Sequence, residues 1–332
     1  MIHQDHYHVI LKAKPGELGA CTSISAIQKG QQLTAFLEVN DTPDSQLAAE
    51  IAKAWGLDDR LIVETVLDSS TEEKFFDALA GMGVRLVPAV TTEQPDAKIK
   101  QIGKLAAKFE NGLCLRVPGM TLLAQGSTPL SRALRLVETS PESIQLVVDF
   151  GDVRDKNRDL LRGLAIGAMR NIVTPERWQA LVFAASSIPK TLSDIAPAGT
   201  ITAVTRHEWT AYKDIIEAKL PRIPSFADFA INHPDRTKHA TKYAPSANIR
   251  YTIDESFLII RALKRKSNEA SRELCRMLMA DSRFMGADFS NGDREIVDCA
   301  FGKSGVGSGW TWRRRDTRHH IEVTLQQLAN LF

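Results

Sequence analysis

Short apolar runs recur along the chain as far as Ala230, and most of them end in a polar or charged residue. Near-continuous apolar runs of this length are typical of strands buried on both faces, as in a parallel sheet. Most of the gaps between the runs are long enough for a crossover helix. The pattern therefore predicts an α/β fold, a (β/α)8 TIM-like barrel over residues 7–234. The nine runs begin at His8, Leu33, Leu61, Arg85, Gly112, Ile144, Trp178, Thr200 and Ser225.

Nine runs are one more than an eight-stranded barrel can use. The first two runs approach each other like a hairpin, and they and the Ser225 run are the weakest candidates for barrel strands. The composition changes after Pro234, where two short strand patterns, at Asn248 and Ser256, are followed by helical ones. We therefore expect an α+β extension over residues 235–332 that packs on the mouth of the barrel.

The composition and charge of the chain limit the classes of protein to which it could belong. The chain has 332 residues, of which 43% are hydrophobic and 25% charged, as in ordinary globular proteins. The net charge of +2 argues against a dedicated nucleic-acid binder, although a local basic patch stays open. Neither a membrane span nor a signal peptide is indicated, so we expect a cytoplasmic protein. Four scattered cysteines without a CxxC pair favour reduced thiols, and we predict no metal site.

Charged residues at the ends of the apolar runs are the first candidates for a site, because barrel enzymes carry their chemistry at the C-terminal ends of the strands. Lys12 ends the first run and Glu17 follows in the next turn. Arg116 lies within an otherwise apolar run, where a guanidinium must be paired or bind an anion. Asp149 closes a very apolar run. Arg116 and Asp149 could equally form a purely structural ion pair between neighbouring strands.

Three further polar residues belong to the same predicted mouth. Ser187 follows the Trp178 run, Arg206 closes the Thr200 run, and Asp228 lies in the Ser225 run. If these residues and those of the preceding paragraph all lie at strand ends, two acids, two arginines, a lysine and hydroxyl groups meet at the mouth of the barrel. Such a set suits a phosphate or carboxylate ligand, with the acids as general acid and base.

The C-terminal region adds polar candidates, among them Arg250. His319 and His320 are adjacent, so in a helix they point about 100° apart and do not form the pair of a helical zinc site. One could face a ligand, or both could cap and pack. Trp310 precedes a run of three arginines, which could bind phosphate or nucleic acid or could form a solvated surface. The sequence has no Walker loop, no nucleophile elbow and no GxGxxG motif.

The order of several short motifs resembles the Beta protein family, which is named from a phage protein and found in phages and bacteria. The resemblance extends over roughly residues 7 to 325. At residues 227–230 this chain reads Ala-Asp-Phe-Ala where the family usually reads Gly-Asp-Tyr-Ala, so Asp228 is kept while the glycine and the phenol are not. The motifs are Val9–Glu17, Leu115-Arg116, Val148–Gly151, Ser187–Pro189, Arg206–Trp209, Phe226–Ala230, Ile249–Thr252, Phe289–Asp293, Trp310 and His319–Ile321.

The resemblance implies a role in phage–host conflict or in mobile elements, with a phage or defence-system protein as a partner, and it assigns no reaction. The polar residues of its motifs coincide with those found from the strand pattern. We therefore predict one shared site, with no cofactor specified. Its predicted catalytic residues are Asp149, Asp228 and His319, and its predicted ligand-binding residues are Lys12, Glu17, Arg116, Ser187, Arg206, Arg250, Trp310 and His320.

Three functions fit these expectations. The first is an enzyme acting on an anionic, phosphate- or nucleotide-like ligand, most simply a phosphodiester-type hydrolase. The second is a non-catalytic sensor or binding module on a barrel scaffold, in anti-phage defence or immunity. The third is a nucleic-acid-binding accessory protein, which the near-neutral net charge does not favour. Fold alone does not choose among them.

Overall fold

The structure is a computed structural model that describes residues 4–24, 28–43, 46–56, 59–236, 247–264 and 267–332. The strands are β1 (Tyr7–Lys12), β2 (Leu33–Val39), β3 (Arg60–Thr65), β4 (Arg85–Thr91), β5 (Leu113–Pro118), β6 (Ile144–Asp152), β7 (Ala180–Ser186), β8 (Ile201–Thr205), β9 (Ser225–Asp228), β10 (Asn248–Thr252) and β11 (Ser256–Arg261). The helices are α1 (Pro15–Thr22), α2 (Leu47–Trp55), α3 (Ser69–Gly81), α4 (Asp96–Phe109), α5 (Gly119–Gln125), α6 (Thr128–Val137), α7 (Arg158–Arg170), α8 (His207–Glu217), α9 (Asn268–Ala280), α10 (Asn291–Ala300) and α11 (Gly309–Ala329).

Eight parallel strands close into a barrel in the order β1 to β7 and then β9, which pairs with both β7 and β1. Helices connect consecutive strands, so the predicted TIM-like barrel is confirmed. The register places Lys12, Glu38 and Glu64 in one row across β1, β2 and β3. Because all the strands run parallel, their C-terminal ends meet at one mouth.

The Thr200 run was wrongly taken as a barrel strand. It forms β8, which pairs antiparallel with β11 in a separate sheet of order β10–β11–β8. The Ser225 run, one of the weakest candidates, supplies β9 and closes the barrel, and all four of its residues are buried. The chain thus leaves the barrel after β7 and returns after α8. Arg206 consequently does not lie at the end of a barrel strand.

Side chains fill the barrel and leave no pore. An interior cluster that includes Ile10, Phe36, Ile62, Val147 and Phe229 is almost completely buried. A larger apolar layer packs the outer faces of the strands against the surrounding helices. The interior of the barrel is therefore occupied by the protein's own side chains.

The C-terminal region forms a core of its own and packs against the barrel through helix α11. Its sheet and the helices α9, α10 and α11 share an apolar core that includes Tyr251, Leu274, Ile296 and Trp312. Helix α11 packs against α1 and reaches the barrel, where His320 contacts β9. In the described part of the chain, no helix is both long enough and apolar enough to cross a membrane.

Candidate functional site

Arg116 is the centre of an ion network inside the mouth. Its Nη1 lies 2.7 Å from Glu38 Oε1 and 3.0 Å from Glu64 Oε2, and its Nη2 lies 2.6 Å from Asp149 Oδ2. The guanidinium also stands 5.4 Å from the centre of the Phe229 ring. Burial works against the charged form, but the three carboxylates raise the pKa of Arg116 well above its usual range. The predicted contact between Arg116 and Asp149 is therefore part of a larger network.

Arg236 completes that network from the segment after β9. Its Nη2 lies 2.8 Å from Glu38 Oε1 and also contacts Glu64 Oε2. Burial raises the pKa of Glu64, but Arg236 and Arg116 outweigh it and lower that pKa overall. Four of the five nitrogen-bound hydrogens of Arg116 are directed to carboxylates. Arg116 therefore has little remaining capacity for a ligand anion.

Asp228 is the centre of a second buried group, which joins the barrel to the extension. The Tyr7 hydroxyl donates to Asp228 Oδ1 at 2.5 Å, and His320 Nε2 lies 2.9 Å from Asp228 Oδ2. His320 Nδ1 lies 2.8 Å from Thr252 Oγ1. Burial raises the pKa of Asp228, but His320, Arg206 and the Tyr7 hydroxyl outweigh it and lower that pKa. This chain of polar groups links β9, α11 and β10.

Arg206 and Glu208 extend the buried group. Arg206 Nη2 lies 3.8 Å from Asp228 Oδ2, and Arg206 Nε lies 3.7 Å from Glu208 Oε1. Burial raises the pKa of Glu208 to about 7. The Ser187 hydroxyl accepts a hydrogen bond from the His207 amide at 2.9 Å, so it holds the start of α8. All of these side chains are sealed from solvent.

His319 belongs to a third group, within the extension. Its Nδ1 lies 2.9 Å from Asp293 Oδ2, and its Nε2 donates to the Thr252 carbonyl at 2.7 Å. Its ring stacks on Tyr251, with the ring centres 3.8 Å apart. Both nitrogens are thus engaged by protein groups, and the side chain is fully buried.

Open space at the mouth lies in a cavity of about 210 Å³ between the barrel and the extension. Four cationic side chains line it: Lys12, Lys190, Arg250 and Arg313. Its acidic lining residue, Asp235, is paired with Lys190. Burial lowers the pKa of Lys12, while Glu38 works in the opposite direction. The cavity therefore carries a net positive charge.

Two guanidinium groups converge beside this cavity. Arg250 Nη1 and Arg313 Nη1 both donate to the carbonyl oxygen of Ile231, at 3.3 and 3.1 Å. Neither forms an ion pair within 4 Å with any carboxylate among the described residues, and the buried Nε of Arg250 has no hydrogen-bond partner there. Glu17 is buried nearby; burial raises its pKa, and Arg313 partly offsets this. These two arginines are the best-placed anion donors at the mouth.

Arg250 and Arg313 also line a second cavity, of about 570 Å³, in the extension. Two helix N-termini open onto it: α9 with Ser267 at its cap, and α11 with Ser308 at its cap. Asp316 is 2% exposed, and its Oδ1 has no partner in the described part of the chain. Burial raises the pKa of Asp316 well above its usual range, which favours a neutral carboxyl that can donate a hydrogen bond.

The structure thus divides the predicted site residues among several places. Lys12 and Arg250 line the mouth cavity, and Glu17 lies close to it. Trp310 is 51% exposed at the start of α11 and lines neither of these two cavities. The remaining predicted residues belong to the three polar groups, and all except the partly buried Asp149 are buried: Arg116 and Asp149 lie in the first group, Asp228, Arg206, Ser187 and His320 in the second, and His319 in the third.

Several important residues were missed by sequence reasoning. Glu38 and Glu64 interrupt apolar runs just as Arg116 does, so the same signal could have found them. Arg313 lies in a basic stretch and carries no individual signal, and Arg236 follows the last barrel strand in a polar segment. Among the described residues, no group of three or more His, Cys, Asp or Glu side chains is arranged to hold a metal ion.

Comparisons with known proteins add a family to this geometry. No curated protein matches the chain. Among solved structures, the chain is similar to the biosynthetic arginine decarboxylase of Campylobacter jejuni, with 12% identity and a TM-score of 0.39. The match covers 98% of this chain and 56% of that one, and likeness at this level carries no conclusion about activity. The model of the Beta protein family matches residues 7–326. The chain therefore belongs to the Beta protein family.

Proposed function

We propose that the protein binds a phosphate-bearing small molecule of nucleotide size, with its phosphate at Arg250 and Arg313. The observation that carries this proposal is the convergence of the two guanidinium groups on the Ile231 carbonyl, with no described carboxylate in an ion pair within 4 Å of either. Two cations held close together in a partly desolvated place repel each other. A bound oxyanion would remove that repulsion and form charge-assisted hydrogen bonds.

The two cavities fit a ligand with two parts. The smaller, of about 210 Å³, has room for a phosphate group, and Lys12 adds a further positive charge there. The larger, of about 570 Å³, lies on the other side of the same two arginines and is within the range of small-molecule sites. Its lining combines amide and hydroxyl groups with the side chains of Val306 and Trp312, so a nucleoside would find both polar and apolar contacts there. Asp316, whose Oδ1 has no partner among the described residues, would be one polar contact to it.

Binding is favoured over hydrolysis by the state of the predicted catalytic residues. Asp149 is tied to Arg116, and Asp228 is sealed among Tyr7, His320 and Arg206. His319 has both ring nitrogens engaged. None of the three has a proton-transfer atom that lines the mouth cavity. We therefore propose a sensor or binding module; a setting in phage–host conflict rests on the family resemblance alone.

The test uses inorganic phosphate and AMP as probes in isothermal titration calorimetry on the full chain. We expect AMP to bind more tightly than phosphate, because it fills both cavities. Arg250→Gln and Arg313→Gln should each weaken AMP binding at least about tenfold, since each removes a charged donor. Arg276→Gln is the matched control, because Arg276 lies exposed on α9 in contact with Glu269 and Glu273. Equal AMP affinity of Arg250→Gln and wild type, or no binding by wild type, would overturn the proposal.

A further inference from the structure

A second basic cleft lies on another side of α11, between that helix, α1 and the start of α10. Its volume is about 460 Å³. Four arginines line it, Arg294, Arg314, Arg315 and Arg318, and Glu295 is its acidic lining residue. None of these residues belongs to the mouth site. The cleft therefore concentrates positive charge in a place that the proposed function does not use.

Two of the four arginines are buried with unused donors. Arg315 is 3% exposed and Arg318 is 7% exposed. Arg315 Nη1, Arg318 Nε and Arg318 Nη1 have no hydrogen-bond partner in the part of the chain that the structure describes. A buried guanidinium nitrogen without an acceptor is costly, because it has lost water and gained nothing in return. An oxyanion in the cleft would supply the missing acceptors.

The protein's own carboxylates neutralise the cleft only in part, because three carboxylates serve its four arginines, and Asp288 is the partner of Arg294. Glu295 Oε2 serves two arginines at once, Arg314 Nη2 at 2.6 Å and Arg315 Nε at 3.2 Å. Glu322 pairs with Arg318 one turn further along α11. Arg318 stands four residues after Arg314 and three after Arg315, so the three cations are neighbours on the helix, which destabilises it. An anionic ligand would offset this repulsion.

The first turn of α10 closes the cleft with its amide end. Asn291 and Gly292 line the cleft, and the Ser290 side chain caps the helix. A Cβ atom at Gly292 would lie 2.3 Å from the carbonyl oxygen of Arg315. Only glycine therefore lets the start of α10 approach α11 so closely. The N-terminus of a helix favours anions, and here it stands beside the buried guanidinium groups.

We propose that this cleft is a second anion site, which takes the diphosphate or phosphate group of a small phosphorylated molecule. Helix α11 would then be held between two anions, with Arg313 facing the mouth and Arg314, Arg315 and Arg318 facing the cleft. Occupation of the cleft would remove the repulsion among its arginines and so stabilise the docking of α10 on α11. This inference does not depend on the function proposed for the mouth.

The test uses inorganic pyrophosphate in magnesium-free buffer and measures its binding by calorimetry. Ser23 is exposed on the rim of the cleft, so its replacement leaves the core intact. We expect Ser23→Glu to weaken pyrophosphate binding at least about tenfold by introducing a negative charge. Ser23→Gln introduces a side chain of nearly the same size as glutamate but without charge, and its affinity for pyrophosphate should be within about twofold of that of wild type. Arg318→Gln should reproduce the loss, with thermal unfolding as the check on its fold.

The two proposed sites are separated by one further variant. Arg250→Gln should remove binding at the mouth and leave the Ser23-sensitive binding of pyrophosphate unchanged. If Ser23→Glu and Ser23→Gln bind pyrophosphate equally well, the cleft is not an anion site. If Arg250→Gln alone abolishes all pyrophosphate binding, the mouth is its only site and the inference is likewise overturned.

Discussion

Replacing Arg116 with methionine tests whether the ion network at the barrel mouth stabilises the fold. The substitution keeps an apolar stem of similar length and removes the charge that three carboxylates share. Glu38 and Glu64 keep Arg236 as a partner. Among the described residues, Asp149 keeps only the Gly151 amide, which donates to its Oδ1 at 2.8 Å. One carboxylate is thus left without a cation.

Removing one member of a buried ion pair costs about 3–5 kcal/mol. The Asp149 side chain is 14% exposed, so water compensates part of its charge, and we expect a loss near the lower limit, about 3 kcal/mol at pH 7. The assay is urea unfolding of wild type and Arg116→Met. Arg132→Met is the control, because Arg132 and its partner Asp96 are 35% and 60% exposed and such pairs contribute about 1 kcal/mol or less.

The difference between the two proteins should depend on pH. The folded-state pKa of Glu64 is lowered, so its stabilising contribution is present above its unfolded-state pKa of about 4.3 and is lost as the pH falls through the folded-state value. Arg116→Met removes part of that lowering. The variant should therefore be weakest relative to wild type above about pH 5, and the gap should narrow in acid. A variant within about 1 kcal/mol of wild type at pH 7 would refute the network's stabilising role.

Two further substitutions probe the buried group around Asp228. Glu208 binds its proton more tightly in the folded state, where its pKa is about 7, than in the unfolded state, so its own contribution to stability should fall as the pH rises from about 4.3 towards 7. Glu208→Gln should lose this slope in urea unfolding between pH 5 and 8, and parallel profiles would contradict the assignment. Asp228→Asn removes a charge that His320 and Arg206 face, and it should cost about 1.5–3 kcal/mol in the same assay. If Asp228→Asn has the same free energy of unfolding as wild type, the negative charge of Asp228 does not contribute to stability.

The barrel could be predicted from sequence because its strands are buried on both faces and appear as continuous apolar runs. The Thr200 run does not form a barrel strand, and its amino-acid composition already indicates this. Thr200, Thr202 and Thr205 interrupt the run, whereas a parallel strand buried on both faces is nearly continuous in apolar residues. β8 is in fact only partly buried along most of its length. The Ser225 run is shorter but wholly buried, and burial decides which run joins the barrel.

The candidate site was harder to predict, because a charged residue within an apolar run does not reveal which residue it contacts in the folded protein. Arg116 and Asp149 were correctly placed side by side at the strand ends. The division of the remaining residues into separate buried groups depends on α11, whose path over the barrel no local pattern indicates. Arg313 and Arg318 differ in surroundings only because α11 turns them to opposite sides, towards the mouth cavity and towards the cleft.

The departure of β8 from the barrel has a consequence for synthesis on the ribosome. β8 ends at Thr205, while its pairing partner in the sheet, β11, begins at Ser256. At a translation rate of about 5–20 residues per second, β11 is synthesised about 3–10 s after β8, and until then the edge of β8 has no pairing partner. During that interval β9 is synthesised and completes the set of barrel strands, but the nascent chain exposes an unpaired edge that can associate with other chains. A product that ends before β11 keeps this edge for good, so premature termination should yield an aggregation-prone species that quality control can recognise, rather than a smaller working barrel.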